Sequence, residues 1–266
     1  MVAASKMKKA QDAALAGRPY SEELEKLIQN IIRRSGQIEH PFFAKKDEPK
    51  KILFIFFTAD RGLCGAFNSN VARYLLKREM AAEQSRALVA VGRRGMQFAK
   101  HSGENIVAEF EGLSDNPEFI ATAPITRLAL DGFLSGEFDE VRLIYNHFVN
   151  TMSQELTEKV LLPLTAPTPE NAAEEQFSEI EYLFEPNPKS VFDKILPRYL
   201  ETIVFQSLLE SNASEQSARM VAMKSASENA GELIDTLTLE LNKARQSSIT
   251  TEILEIVGGA EALAES

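Results

Sequence analysis

From Leu209 onward, alternating steps of four and three residues pick out Leu209, Ala213, Gln216, Met220, Met223, Ser227, Ala230, Ile234, Leu237, Leu241, Ala244 and Ser248. Nine of these twelve are apolar and the other three are uncharged. A 3.5-residue repeat of this kind turns one helix face toward a partner helix in a left-handed coil. After Ser248 the pattern rotates by one position to Ile249, Ile253 and Ile256, so the far end is predicted to meet something else. No proline follows Pro197, and Gly231 is the only glycine between Arg198 and Val257. Because proline and glycine weaken helices, the whole stretch is predicted to be one helix, about 90 Å long if straight. The Asp and Glu residues of this helix are expected on its solvated face. The plainer alternative is a long amphipathic helix packed on its own domain, although a compact domain of this size spans only a few tens of ångströms. At the other terminus, Ala3, Met7, Ala10 and Ala14 follow the same four–three rhythm, and Leu24, Leu27, Ile28, Ile31 and Ile32 resume an apolar face. Gly17-Arg18-Pro19 between them is expected to interrupt or kink that helix. Lys6, Lys8 and Lys9 form a basic cluster that reads most simply as a solvated face.

The middle of the chain has a different period. Ile52–Thr58 is a continuous apolar run of strand length, Ala87–Gly92 and Asn105–Phe110 are further strand candidates, and Glu140–Val149 is rich in β-formers. Met152–Leu164 continues as a strand or extended pair, and Glu179–Phe184 is a last candidate after a proline-containing loop at 166–172. Helical spacing appears in Asn68–Glu83, Gly95–His101 and Phe119–Leu134. Strands alternating with helices predict an α/β layer with mostly parallel strands.

Composition narrows the chemistry. A net charge of −10 over 266 residues is poorly suited to general nucleic-acid binding, which relies on Lys and Arg. One cysteine excludes a disulfide framework within the chain and a multi-thiolate metal site, and His40, His101 and His147 lack ligand spacing. No cofactor is implied. No apolar run reaches the length of a membrane span. Thr58-Ala-Asp-Arg-Gly-Leu-Cys-Gly-Ala-Phe-Asn68 joins a strand to a helix, where phosphate loops also sit, but lacks Gly-Lys-Ser/Thr and G-x-G-x-x-G. A tight structural turn and a nucleotide-binding turn therefore both stay open here. Asp60 and Arg61 admit a catalytic pairing, with turn capping the default; Cys64 reads as a small structural residue rather than an activated thiol. The run Gln246–Thr251, beside Lys243 and Arg245, is either a frayed end or a partner surface. No nucleophile–base–orienter set emerges, so no catalytic residue is assigned.

Several motifs in order carry a resemblance that covers nearly the whole chain. TADRGLCGAFN, ASEQSARMVAMKSASENAGELIDTLTLELNKARQSSITTEILEIVGGAEAL at 213–263 and MVAASKMKKAQ at the start resemble the γ subunits of F-type ATP synthases, as do RRSGQIEHPFF, SDNPEF and NTMSQ. The family motif turn comprises Asp60, Arg61, Gly62, Cys64 and Gly65. The resemblance implies a Rossmann-like α/β foot at 50–188, carried by a long antiparallel coiled coil of an amino-terminal helix (1–40) and a carboxy-terminal helix (190–263). It implies a non-catalytic central-stalk rotor that couples proton flow through the membrane sector to ATP synthesis or hydrolysis at the β subunits. The implied partners are the α and β subunits, the ε subunit and the c-ring, with no nucleic acid. Membrane association would come through the membrane sector only, at the cytoplasmic side of the cell membrane. By motif match, Arg245, Gln246 and Thr250 are expected to touch a β-subunit loop, and Tyr182, Phe184 and Glu185 the c-ring and ε. Members of that family carry further helical turns before MVAASKM, which are expected to reach the foot and pair with the lower shaft. Cys64 stands without a second cysteine, so no thiol switch is implied.

Overall fold

The computed structural model describes residues 2–34, 40–78, 80, 83–114, 117–164 and 188–264. The chain divides into two compact units, Met1–Val221 and Ala222–Ser266. At the core of the first is a five-stranded sheet in the order β3-β2-β1-β4-β5. Its strands are β1 (Lys51–Phe57), β2 (Ser85–Val91), β3 (Ile106–Phe110), β4 (Glu140–Phe148) and β5 (Gln154–Leu162). The first four are parallel, and β5 returns antiparallel along β4. KILFIFF can be continuously apolar because β1 lies at the centre and is covered on both faces. Its odd residues Leu53, Ile55 and Phe57 face one core and its even residues Ile52, Phe54 and Phe56 another, as the two-residue period of a strand requires.

The helices cover those two faces. On the even face, α2 (Phe67–Lys77) contributes Val71 and Leu75, and α3 (Arg93–His101) contributes Ala99. On the odd face, α4 (Phe119–Leu134) contributes Ile125 and Ala129, together with residues of α1 (Val2–Arg34) and α5 (Pro188–Ala264). The crossovers through α2 and α3 step outward from β1 to β3, and α4 brings the chain back across the opposite face to β4. The strand order therefore reverses between β1 and β4.

Helix α1 runs antiparallel to the first part of α5. Ala10 and Ala14 pack on Leu209 and Ala213, whereas Ile28 and Ile31 share a core with Leu196 and Leu200. Small residues at the first contact let the two axes approach closely. One expectation needs correction. Pro19 does not interrupt α1, which is helical from Val2 to Arg34; packing along α5 on both sides of the proline outweighs its local cost. Pro197 likewise lies inside α5. The foot-proximal part of α5 shares a core with Leu24, Leu27, Ile28 and Ile31 of α1. The first unit takes in the sheet, α1 and the buried part of α5.

The second unit is the continuation of α5 from Ala222, helical as far as Ala264. Every residue from Met223 to Ala260 is exposed, including Ile234, Leu237 and Leu241 of the predicted seam. Among the described residues no helix is long and apolar enough to cross a membrane.

Candidate functional site

In open α/β sheets, ligands bind outside the carboxyl ends of the strands, where the strand order reverses. Here that place lies between the turn after β1 and the end of β4, and the protein's own α5 occupies it. Ala218 packs on Ala59, Cys64 and Phe67 of the turn. On the other side, Ser214 Oγ donates to the Asn146 carbonyl of β4 at 3.0 Å. Residues 207–217 are buried without exception, so the helix is enclosed on all sides over this stretch.

The family motif turn is built to grip that helix. Asp60 accepts from the Arg93 N–H through Oδ1 and from the Gly112 N–H through Oδ2, each at 3.1 Å, which ties together the loops after β1, β2 and β3. Arg61 and Gly62 present their carbonyls to Arg219 Nη2 at 3.5 and 3.4 Å, and Arg219 is held in turn by Glu215 at 2.6 Å. Cys64 is 1% exposed, and its sulfur accepts from Asn68 Nδ2 at 3.1 Å. Burial, with Glu215 nearby, pushes its thiol above the ordinary range, the opposite of an activated nucleophile. Gly65 sits at φ +57°, a left-handed conformation that glycine adopts without cost.

The donors that would hold a phosphate are already engaged. At the start of α3, Arg93 N–H goes to Asp60, Arg94 N–H to the Ala59 carbonyl and Gly95 N–H to Thr58 Oγ1. At the start of α2, Asn68 Oδ1 accepts from Ala59 N–H and Phe67 N–H goes to the Cys64 carbonyl. A cavity of about 210 Å³ opens beside them, lined by Thr58, Asn68 and Arg94 among others, with Phe56 and Phe98. Its Thr58 and Asn68 are committed to these same bonds, and Arg94 donates to Gln97.

Sequence reasoning missed a second cluster on the same helix. Glu210 is buried, with its side chain only 4% exposed, although it was expected on a solvated face; Glu215 is buried too. Both lie in the enclosed part of α5: other elements supply donors to Glu210, and Arg219 of the same helix supplies one to Glu215. Glu210 accepts from Arg18 Nε at 2.6 Å and Nη2 at 2.8 Å, from Phe148 N–H at 3.0 Å and from Gln206 Nε2 at 3.0 Å, with His147 Nδ1 at 3.3 Å. Arg18 Nη2 also donates to the Phe148 carbonyl. Burial pushes the Glu210 carboxyl up, but Arg18 and the Phe148 N–H outweigh it and leave the group below its ordinary range. The sequence does carry a signal for this. Ser211, Asn212, Ser214, Gln216 and Ser217 make a helical run with polar groups on every face and no lysine, which a one-faced solvated helix would not show. An open cleft of about 270 Å³ adjoins the cluster, but its Arg18 and Glu210 are paired with each other and its Lys159 with Glu25 at 3.0 Å.

The remaining assigned residues are not brought together with this site. Arg245, Gln246 and Thr250 lie on the exposed second unit, where Thr250 Oγ1 donates to the Gln246 carbonyl at 2.8 Å. Tyr182, Phe184 and Glu185 lie outside the described residues, as does the strand expected at 179–184.

With the geometry in place, comparison with known proteins defines the class first. The ATP synthase family matches residues 1–263. The ATP synthase gamma chain of Pelotomaculum thermopropionicum is 44% identical over 264 residues, covering 98% of this chain and 90% of that protein. The gamma chain of Dehalococcoides mccartyi is 45% identical over 269 residues, covering 99% and 91%. Among solved structures, the central stalk and c-ring of the Tetrahymena thermophila mitochondrial ATP synthase includes a chain 28% identical to this one. The TM-score is 0.65, over 85% of this chain and 96% of that one. A chain of the Euglena gracilis mitochondrial ATP synthase, 19% identical, shares the fold with a TM-score of 0.62 over 98% of this chain and 93% of its own. The chain belongs to the ATP synthase family, among its gamma chains.

Proposed function

We propose that this chain is the non-catalytic central-stalk rotor of a proton-translocating ATP synthase. It couples proton flow through the c-ring to the β-subunit catalytic sites within the α/β hexamer, with ε bound at the foot. The observation that carries the reading is the filled crevice: where a Rossmann-like enzyme would seat its nucleotide, this chain seats its own helix, gripped by Arg61, Gly62 and Cys64 of a turn that Asp60 ties to the neighbouring loops. The same helix continues as an exposed unit from Met223 onward.

Such a rotor acts by unequal contact. A shaft that touched three β subunits alike would shift none of their equilibria. The turning surface combines apolar Ile249 and Ile253 with short hydroxyl side chains at Ser247, Ser248, Thr250 and Thr251, which offers few deep features to catch on a partner. Arg245, Gln246 and Thr250 engage a β-subunit loop from this surface. Tyr182, Phe184 and Glu185 meet the c-ring and ε. The chain is held at the cytoplasmic face of the cell membrane through the membrane sector. The organisation is an amino-terminal helix at 1–40, a foot at 50–188 and a carboxy-terminal helix at 190–263.

Replacing Arg245 and Gln246 together by alanine tests the assignment, since neither side chain supports the fold of the first unit. ATP synthesis by the assembled complex in membrane vesicles is expected to fall at least tenfold, about 1.4 kcal/mol or more in transition-state terms. Unchanged synthesis with the complex intact contradicts it.

A further inference from the structure

We propose that Arg18 and Glu210 are positioning residues for rotation: together with the main chain of Phe148 they form the clasp that passes torque between the sheet and the paired helices. The proposal rests on the rotor reading above and names the joint inside it.

Three segments far apart in sequence close one ring. Arg18 of α1 grips Glu210 of α5 through two nitrogens. Glu210 accepts the Phe148 N–H at the end of β4, and Arg18 donates to the carbonyl of that same residue. The end of a sheet strand is thus bonded, through the N–H and the carbonyl of one residue, to both helices at once.

The surrounding contact cannot do this work alone. Between α1 and α5 at this level lie Ala10, Ala14, Leu209 and Ala213, with Phe148 beside them. Apolar contact is non-directional and opposes separation far better than sliding. Rotation loads the joint tangentially, so directional bonds must carry the load. The other bonds from this edge of the sheet to the helices are weaker candidates. Ser214 to the Asn146 carbonyl and Gln11 to Thr151 Oγ1 are neutral and single. Arg219 reaches the turn at 3.4 and 3.5 Å. Lys159 to Glu25, from β5 to α1, is a lysine point contact one-third exposed on each side, where water competes. The Arg18 fork is planar and charge-assisted, and it faces an acceptor that water barely reaches. Its position suits the role as well, since residues 207–217 form the enclosed part of α5 just before the helix becomes exposed.

The test is rotor stiffness in the assembled complex. A bead is fixed to the exposed α2 residue 76 through Leu76→Cys, the catalytic ring is held on glass, and the angular variance is recorded during a catalytic pause. Glu210→Gln and Arg18→Met are each expected to raise the variance at least twofold while the complex stays intact, and Arg18→Lys is expected to give an intermediate value. A side chain that only stabilises the fold would alter yield or melting without altering this variance. Intact variant complexes with unchanged variance overturn the proposal. So does a Glu210→Gln complex that cannot assemble combined with an Arg18→Lys complex of normal stiffness. If the bead on the otherwise unmodified complex fails to rotate with ATP, the rotor reading itself falls, which is a distinguishable failure.

Discussion

Replacing Arg18 by methionine should destabilise the full-length chain by about 3–5 kcal/mol, the cost of leaving one member of a buried ion pair uncompensated. The substitution keeps much of the side-chain volume and removes both nitrogens that hold Glu210. Glu210 then retains the Phe148 N–H, Gln206 and His147, none of which carries a permanent positive charge, and at 4% exposure it cannot recover hydration. The pH dependence gives the reasoning a signature. In the unmodified chain the Glu210 carboxyl is held below its ordinary value, so its contribution is full above pH about 4.3 and is lost as the pH falls through the lowered value. Without Arg18, the upward push of burial dominates, and the carboxyl rises above its ordinary value. The variant's deficit must therefore shrink as the pH drops from 7 toward 5, where Glu210 takes up a proton. Replacing Glu210 by methionine as well should recover part of the loss but not all, because the Phe148 N–H is left without its acceptor at about 1–3 kcal/mol. Urea unfolding at pH 7 and pH 5 reads all three effects. A single variant within 1 kcal/mol of the unmodified chain, or a deficit independent of pH, would refute this account of the pair.

Two further outcomes follow from the motif turn and its neighbours. Gly92→Ala should cost several kcal/mol in thermal unfolding, because φ there is +104° and an added Cβ would lie 2.7 Å from the Thr58 carbonyl carbon, where backbone must move; a melting temperature within a degree or two of the original would show the turn to be pliable. Cys64 should react with a thiol reagent at least a hundredfold more slowly in the folded chain than in urea, given its 1% exposure and raised thiol pKa, and comparable rates would mean that the turn opens away from Ala218.

Much of the fold is legible in the residues. A run such as KILFIFF has no stable home except a doubly covered strand, and the predicted Phe119–Leu134 helix coincides with α4. The four–three rhythm correctly places Ala10 and Ala14 against Leu209 and Ala213, because small residues at that spacing serve close helix contact. Periodicity misleads where tertiary packing overrides local preference. Pro19 and Pro197 sit inside helices whose cost is offset by packing on several sides. Glu210 and Glu215 follow the spacing of a solvated face, yet are buried: Arg18 and Phe148 converge on Glu210 from other elements, and Arg219, one turn further along α5, pairs with Glu215. Nothing local to residue 210 encodes an arginine 192 positions earlier. The motif turn was recognisable as a strand–helix turn from TADRGLCG, but its role as a grip on α5 depends on Ala218 and Arg219 arriving at the point where the strand order reverses. That is a property of topology rather than of the turn.

The central claim is that this chain works by turning within its partners and not by chemistry of its own. Locking it tests this most directly. Gln246→Cys is placed on the exposed unit and oxidised to a cysteine introduced in the facing loop of a β subunit, while buried Cys64 stays out of reach. ATP turnover by the assembled complex should fall to near zero on oxidation and return on reduction. Turnover that continues at full rate with this chain covalently fixed to β would contradict the account.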